Sequence, residues 1–362
     1  MDLESRLTGR RPKTIAVRVP APIVLAVVAA ASALGGCSQV RQNAPSAVPM
    51  AAAGNIGTGA HRRTSAENIF VANQTHEGPP WAGQVLVYPV GSNGNVPPTQ
   101  IIGGSNTLLT QANGIVVNAA GEIFVANSDA NTIVGFPVGS TGNVSPNVVI
   151  GGSNTGLASP LGLAIDNAGD LYVANCGTSC AFGPPGPTSI EEFAAGANGN
   201  IAPIRVISGK RTGFGGQIKG IALDQAAVVS VAGWTAGSAV SFGPHENGDV
   251  FPLRTIAGAQ TEISAPDGIA ATGNGLYVAS NGGPHITRYS LRTNGDVPPR
   301  ALLNEPATGG IVGAPDGSIY AAGLGVAAIY QYAPSAKNHD APLTTILGSN
   351  TGLVTPTFVF VN

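Results

Sequence analysis

A handful of side chains in this chain have the type and setting for chemistry. His76 and His285 each follow a strand-like segment. Zinc takes three or more His, Asp, Glu or Cys ligands, so this pair needs a third partner. His61, His245 and His339 fall in a linker or in turns predicted on the opposite face, which leaves the pair reading as solvated loop histidines. Asn73, Asn127 and Asn175 end three copies of one short phrase, and with Asp267 they could imitate an oxygen-ligand set for calcium. A repeated Asn at a strand end also satisfies loop backbone groups, and that explanation covers the periodicity without a metal. The preferred reading is therefore no cofactor, with calcium as the alternative. Trp81 and Trp234 are the only two tryptophans, and both fall in predicted loops. Tryptophan at a surface commonly anchors recognition. With His76, Asp129 and His285 they form a candidate ligand-binding set, packing beneath a loop being the other use of an indole. No catalytic set stands out. Gly323-Leu-Gly325-Val-Ala-Ala328 mimics a dinucleotide loop, but no helix pattern follows it. No G-x-S-x-G nucleophile elbow occurs.

The elements that must position these residues repeat. Ile69-Phe70-Val71-Ala72-Asn73 returns at Ile123–Asn127 and Leu171–Asn175. More altered copies stand at Val229–Gly233, Leu276–Ser280 and Ile319–Gly323. Successive copies start 43 to 58 residues apart, a period that, built only of strands, marks a propeller blade. In the second unit Ile123–Asn127 and Thr132–Val138 read as strands, Val148–Gly151 runs back, and Leu161–Asp166 forms the fourth. Asn93-Gly94, Asn198-Gly199, Asn247-Gly248 and Asn294-Gly295 recur at one place and read as tight hairpin turns, since Asn and Gly tolerate positive φ. Innermost strands start with glycine: Gly114–Val117, Gly162–Ile165, Gly220–Leu223, Gly268–Ala271 and Gly310–Gly313. Runs apolar on both faces fit strands packed between neighbouring sheets, and small residues fit the convergence near the axis.

The count closes. The first unit begins at Ile69 without an inner strand, and the last ends in a surplus piece, Thr357–Asn362. Pairing that tail into the first blade completes six blades of four antiparallel strands and removes the raw edges of an open array. The expected fold is an all-β six-bladed β-propeller over 69–362.

Composition limits the partners. The net charge is −2 and charged residues are 10 % of 362, so no electrostatic case for nucleic acid exists. A basic leader with Arg6, Arg10, Arg11, Lys13 and Arg18 precedes an apolar run, Ile23–Ala33, too short to span a bilayer. It ends at Leu34-Gly35-Gly36-Cys37, which resembles the bacterial lipobox and implies cleavage before Cys37 and lipid on its sulfur. The expected organisation is a signal peptide over 1–36, a flexible tether over 37–68 rich in Ala, Gly, Ser and Pro, then the propeller. The protein would sit in the cell envelope as a monomer, touching membrane only through its lipid. Of three cysteines, Cys176 and Cys180 then remain in one loop. In an oxidising compartment they read as a stapling disulfide, with free thiols as the alternative.

The alternation of G-[IL]-[AV]-[VIL]-D with [IL]-[FY]-V-A-N resembles the NHL repeat and covers about residues 69–362. Blades 4 and 6 depart from it, Ser230 and Gly233 replacing the aromatic and the Asn in one and Gly323 replacing the Asn in the other, so both are expected to be less regular. That resemblance implies a scaffolding or sensing domain, while related six-bladed propellers include lactonases and a zinc lyase. Fold does not choose among these. The preferred function is a module binding a protein, peptide or glycan through loops on one face. The alternative is a lactonase-like or lyase-like enzyme with a metal at the central channel.

Overall fold

A computed structural model describes residues 67–75, 82–177, 180, 187–281, 283, 285–304 and 308–362. The chain divides into Met1–His61 and Arg62–Asn362, and the expected signal peptide, Cys37 and nearly all of the tether lie outside the described residues. Asn68 already belongs to the first strand.

Among the described residues twenty-four strands form six four-stranded sheets, and every neighbouring pair within a sheet is antiparallel. Blade I holds β1 (Asn68–Thr75), β2 (Ala82–Pro89) and β3 (Gln100–Gly103). Blade II is β4 (Ala112–Val117), β5 (Ile123–Asn127), β6 (Thr132–Phe136) and β7 (Val148–Gly151). Blade III is β8 (Pro160–Ile165), β9 (Leu171–Asn175), β10 (Ser189–Phe193) and β11 (Arg205–Ser208). Blade IV runs β12 (Ile218–Leu223), β13 (Val229–Gly233), β14 (Ser238–Phe242) and β15 (Arg254–Ala257). Blade V runs β16 (Pro266–Thr272), β17 (Gly275–Ser280), β18 (His285–Tyr289) and β19 (Ala301–Asn304). Blade VI is β20 (Thr308–Gly313), β21 (Ile319–Gly323), β22 (Ala328–Tyr332) and β23 (Thr344–Leu347). The last strand, β24 (Thr355–Val361), returns to blade I as its inner strand, with Val71 opposite Val359 and Ile69 opposite Val361. The ring is closed as the sequence predicts.

Each blade buries both faces against its neighbours, which is why its strands read as apolar runs. Third strands end in a large aromatic, Tyr88, Phe136, Phe193, Phe242, Tyr289 or Tyr332, each at most 1 % exposed. Inner strands approach so closely that glycine is required: a Cβ on Gly114 would strike the Leu161 carbonyl of the next blade. Blades IV and VI keep all four strands, so the altered phrases do not change their strand order. In blade IV the missing aromatic is replaced by a buried Ser230–Ser241 hydroxyl contact of 2.8 Å across β13 and β14.

The Asn-Gly segments are not tight hairpin turns. A long connection separates Pro89 from Gln100, and within it Asn93-Gly94-Asn95 reaches the outermost strand of blade VI. Gly94 pairs with Ile346, Thr345 N–H donates to Asn93 Oδ1 (2.9 Å) and Asn350 N–H donates to Asn95 Oδ1 (2.7 Å). The same stitch joins blades II to I, III to II, IV to III and V to IV through Gly142, Gly199, Gly248 and Gly295. Blade VI reaches blade V differently, with His339 N–H donating to Leu302 O at 2.7 Å. The positive φ expected of these glycines is present, but it serves contact between blades.

Candidate ligand site at the channel mouth

Six equivalent positions, one residue before the inner-strand glycine or its counterpart, ring one end of the axis: Asn113, Leu161, Lys219, Asp267, Gly309 and Thr357. They bound a cavity of about 90 Å³. The repeat leaves this register free to vary, and Asn, Leu, Lys, Asp, Gly and Thr all occupy it.

Charge sits on blades IV and V. Lys219 Nζ pairs with Asp267 Oδ1, and Asn281 Nδ2 donates to Asp267 Oδ2 at 2.8 Å. The Asp267 side chain is only 5 % exposed against 24 % for Lys219. A carboxyl group so buried calls for a paired charge and a hydrogen-bond donor, and Lys219 and Asn281 supply them. Lys219 Nζ also lies 4.7 Å from the centre of the Trp234 ring, a cation–π distance. Trp234 Nε1 is buried without an acceptor among the described residues. The other polar members are committed to structure. Asn113 Nδ2 donates to Ser128 Oγ (2.6 Å), which donates to Pro160 O (2.6 Å), and Thr357 Oγ1 donates to the carbonyls of Ala72 and Ala112.

Below the mouth the axis is lined by apolar side chains around a cavity of about 210 Å³. Along five inner strands glycine is followed two residues later by Val or Ala, as at Gly220 and Ala222 of β12, with Ile or Leu of the same strands also lining the cavity. β24 carries Phe358 and Phe360 at those positions.

The structure joins Trp234, which sequence places in a loop, to Asp267 through Lys219. Asp267 and Lys219 stand in strands β16 and β12, not in loops, and His285 opens β18 instead of lying in the preceding loop. Asp129 is half-buried, and loss of solvent raises its pKa above the ordinary carboxylate value. His76 and Trp81 lie outside the described residues.

Asn73, Asn127 and Asn175 are fully buried, each clamping the loop that enters its own blade. Asn127 accepts Thr110 N–H (2.8 Å) and donates to Leu108 O (2.6 Å). Asn175 accepts Ala158 N–H (2.7 Å), and Asn73 accepts Val354 N–H (3.0 Å). Their amides serve loop backbone and side chains of the adjacent strand, Asn175 Nδ2 also reaching Ser189 Oγ (3.2 Å) and Glu191 Oε1 (3.4 Å). Among the described residues no three His, Cys, Asp or Glu side chains converge. Cys176 and Cys180 are joined as a disulfide, their Cα atoms 5.7 Å apart.

One titratable residue escapes sequence reading. Glu191 in β10 is 3 % exposed at the register where β2, β6 and β14 carry Leu86, Val134 and Val240. Burial pushes its pKa up to about 7, and the Ser189 hydroxyl, 3.1 Å from Oε1, holds it back only in part. Its Oε2 has no partner among the described residues. The available signal was a charged residue in an apolar column of the repeat.

No protein-family model matches the chain, and no curated protein matches its sequence. Solved structures match its shape. A protein of unknown function from Bacteroides caccae has 12 % identity and a TM-score of 0.57, over 82 % of this chain and 99 % of that one. A chain of the nidogen/laminin complex has 11 % identity and a TM-score of 0.57, over 82 % and 98 %. A catalytically inactive virginiamycin B lyase from Staphylococcus aureus, solved with quinupristin, has 13 % identity and a TM-score of 0.47, over 83 % and 93 %. At such identities likeness speaks for architecture alone, and the architecture is a six-bladed β-propeller.

Proposed function

We propose that this chain is an exported, lipid-anchored binding propeller of the NHL type, capturing a protein, peptide or glycan at the open end of its channel. The observation that carries this reading is Trp234. Its ring lies against Lys219 at the mouth while its N–H is buried without an acceptor among the described residues. The indole as a whole is half-buried, so part of the ring beside the ion pair stays open to a ligand. Tryptophan beside a charged pair is also the composition of an interface hot spot. The lipobox-like Leu34–Cys37 supports export and anchoring, and the repeat phrases support the NHL assignment.

The test uses the purified propeller against peptide and glycan panels, read by calorimetry. Capture lost in Trp234→Ala, with an unchanged melting temperature, supports the reading; capture unchanged in that variant sinks it. A second reading, a metal-assisted lactonase or lyase, draws on Asp267, an axial carboxylate already steered by Asn281. Stoichiometric calcium or zinc with lactone turnover abolished by Asp267→Ala would replace the binding reading.

A further inference from the structure

We infer that the axial cavity beneath the mouth binds a small apolar group, an alkyl chain or aryl ring, on a ligand whose polar end meets Lys219 and Asp267. This deepens the open-face reading and rests on it for the polar end only. Every side chain lining the cavity is apolar, so water there gains partners only from the backbone of the strand edges. An apolar void of roughly 150 Å³ is large enough to hold benzene, and this one is about 210 Å³. Its walls are unequal. On one side Phe358 and Phe360 project from the closing strand, and Phe358 sits so near Gly310 that any side chain there would strike its ring. Across the axis the small Ala222 and Ala270 alternate with Ile221, Leu223 and Ile269 of the same strands. Two aromatic rings face a wall of small and branched aliphatic side chains, and the ion pair lies in the adjoining mouth, which shares Phe358. Ligand pockets in general share this plan, an apolar body with a few polar groups at one place.

The cavity is adjustable by substitution. Ala222→Leu or Ala270→Leu fills it from the aliphatic wall, while Phe360→Ala lengthens it. Toluene, n-hexanol and n-decanol serve as probes with the whole propeller, read by thermal melting and calorimetry. Toluene or hexanol at a hundred times its Kd should raise Tm by about 5 °C. Ala222→Leu should abolish that shift, and Phe360→Ala should move the preference from hexanol to decanol. Replacing hexanol by hexanoate should strengthen binding, and Lys219→Met should remove that advantage.

Probes that give no shift, as in a water-filled channel, overturn the inference. So does a shift indifferent to both Ala222→Leu and Phe360→Ala. If Ala222→Leu fails to fold, the change of preference in Phe360→Ala still decides. Partner capture through Trp234 is measured without these probes. Alkyl binding lost with capture intact rejects this inference alone, and the converse rejects the open-face reading alone.

Discussion

Asn143 in blade II accepts the backbone N–H of Asn106 in blade I at 2.7 Å, and its carboxamide packs against Gly104. Asn200 does the same for Asn154, Asp249 for Arg211, Asp296 for Gln260 and Asn95 for Asn350. Each carbonyl or carboxylate oxygen satisfies an exposed loop donor and fixes one blade to the preceding one. The last of these crosses the junction where the ring closes, so β24 is not its only clasp.

Asn143→Ala should lower stability by about 1 kcal/mol, the net worth of one such bond. Gly104→Ala should cost more. Gly104 has φ +121, and a Cβ there would lie 2.7 Å from Asn143 Cγ. In the double variant the clash with the carboxamide is removed, the Cβ of residue 143 still lies 2.9 Å away and the backbone part remains, so the two losses should add to more than the double shows. Urea unfolding of the three proteins checks this.

Removing β24 should abolish cooperative unfolding or lower the midpoint sharply. The strand supplies Val359 and Val361 to the core between blades I and VI, and its loss exposes the edge of β1 to aggregation. A truncation after Val354 that melts like the intact protein would contradict closure as the source of stability.

Glu191 should make the protein less stable as pH rises from about 4.5 to about 7. Its folded pKa is raised, so the unfolded chain gives up the proton first and is favoured as pH climbs. Above the folded value the loss levels off. The total is on the order of 3 kcal/mol for that shift. Glu191→Gln should flatten this part of the profile in denaturant titrations at pH 5 and 8. A profile unchanged by the substitution would place the titrating group elsewhere.

Cys176 and Cys180 are four residues apart, so the loop they close is short and the entropic stabilisation is about 2 kcal/mol at most. Intact protein, denatured without reductant, should resist alkylation at both sulfurs, as read by mass. Cys176→Ala/Cys180→Ala should fold with a modestly lower midpoint. Prompt labelling of both would mean free thiols.

Lipid anchoring is checked by Cys37→Ala. The variant should leave the membrane fraction and lack the mass of an acylated cysteine. Retention in that fraction would exclude this sulfur as the anchor.

The six-fold array, the strand phrases and the closing tail were legible because each is local. Alternation, turn residues and glycine at the inner-strand start are written in adjacent residues, and the backbone needs little else to choose a strand. Even the role of Asn73, Asn127 and Asn175 followed from position in the phrase, each amide being used on loop backbone. Tertiary structure decided the site. Lys219, Trp234 and Asp267 lie on three segments and two blades, and only the common register of the inner strands brings them to one end of one axis. It also turned the Asn-Gly segments from supposed hairpins into stitches between blades, since a turn motif states its φ but not what lies beside it. Phe358 and Phe360 read as a closing strand in sequence. That they line the channel follows from the ring, where the other five strands carry glycine and then alanine or valine at the same two register positions.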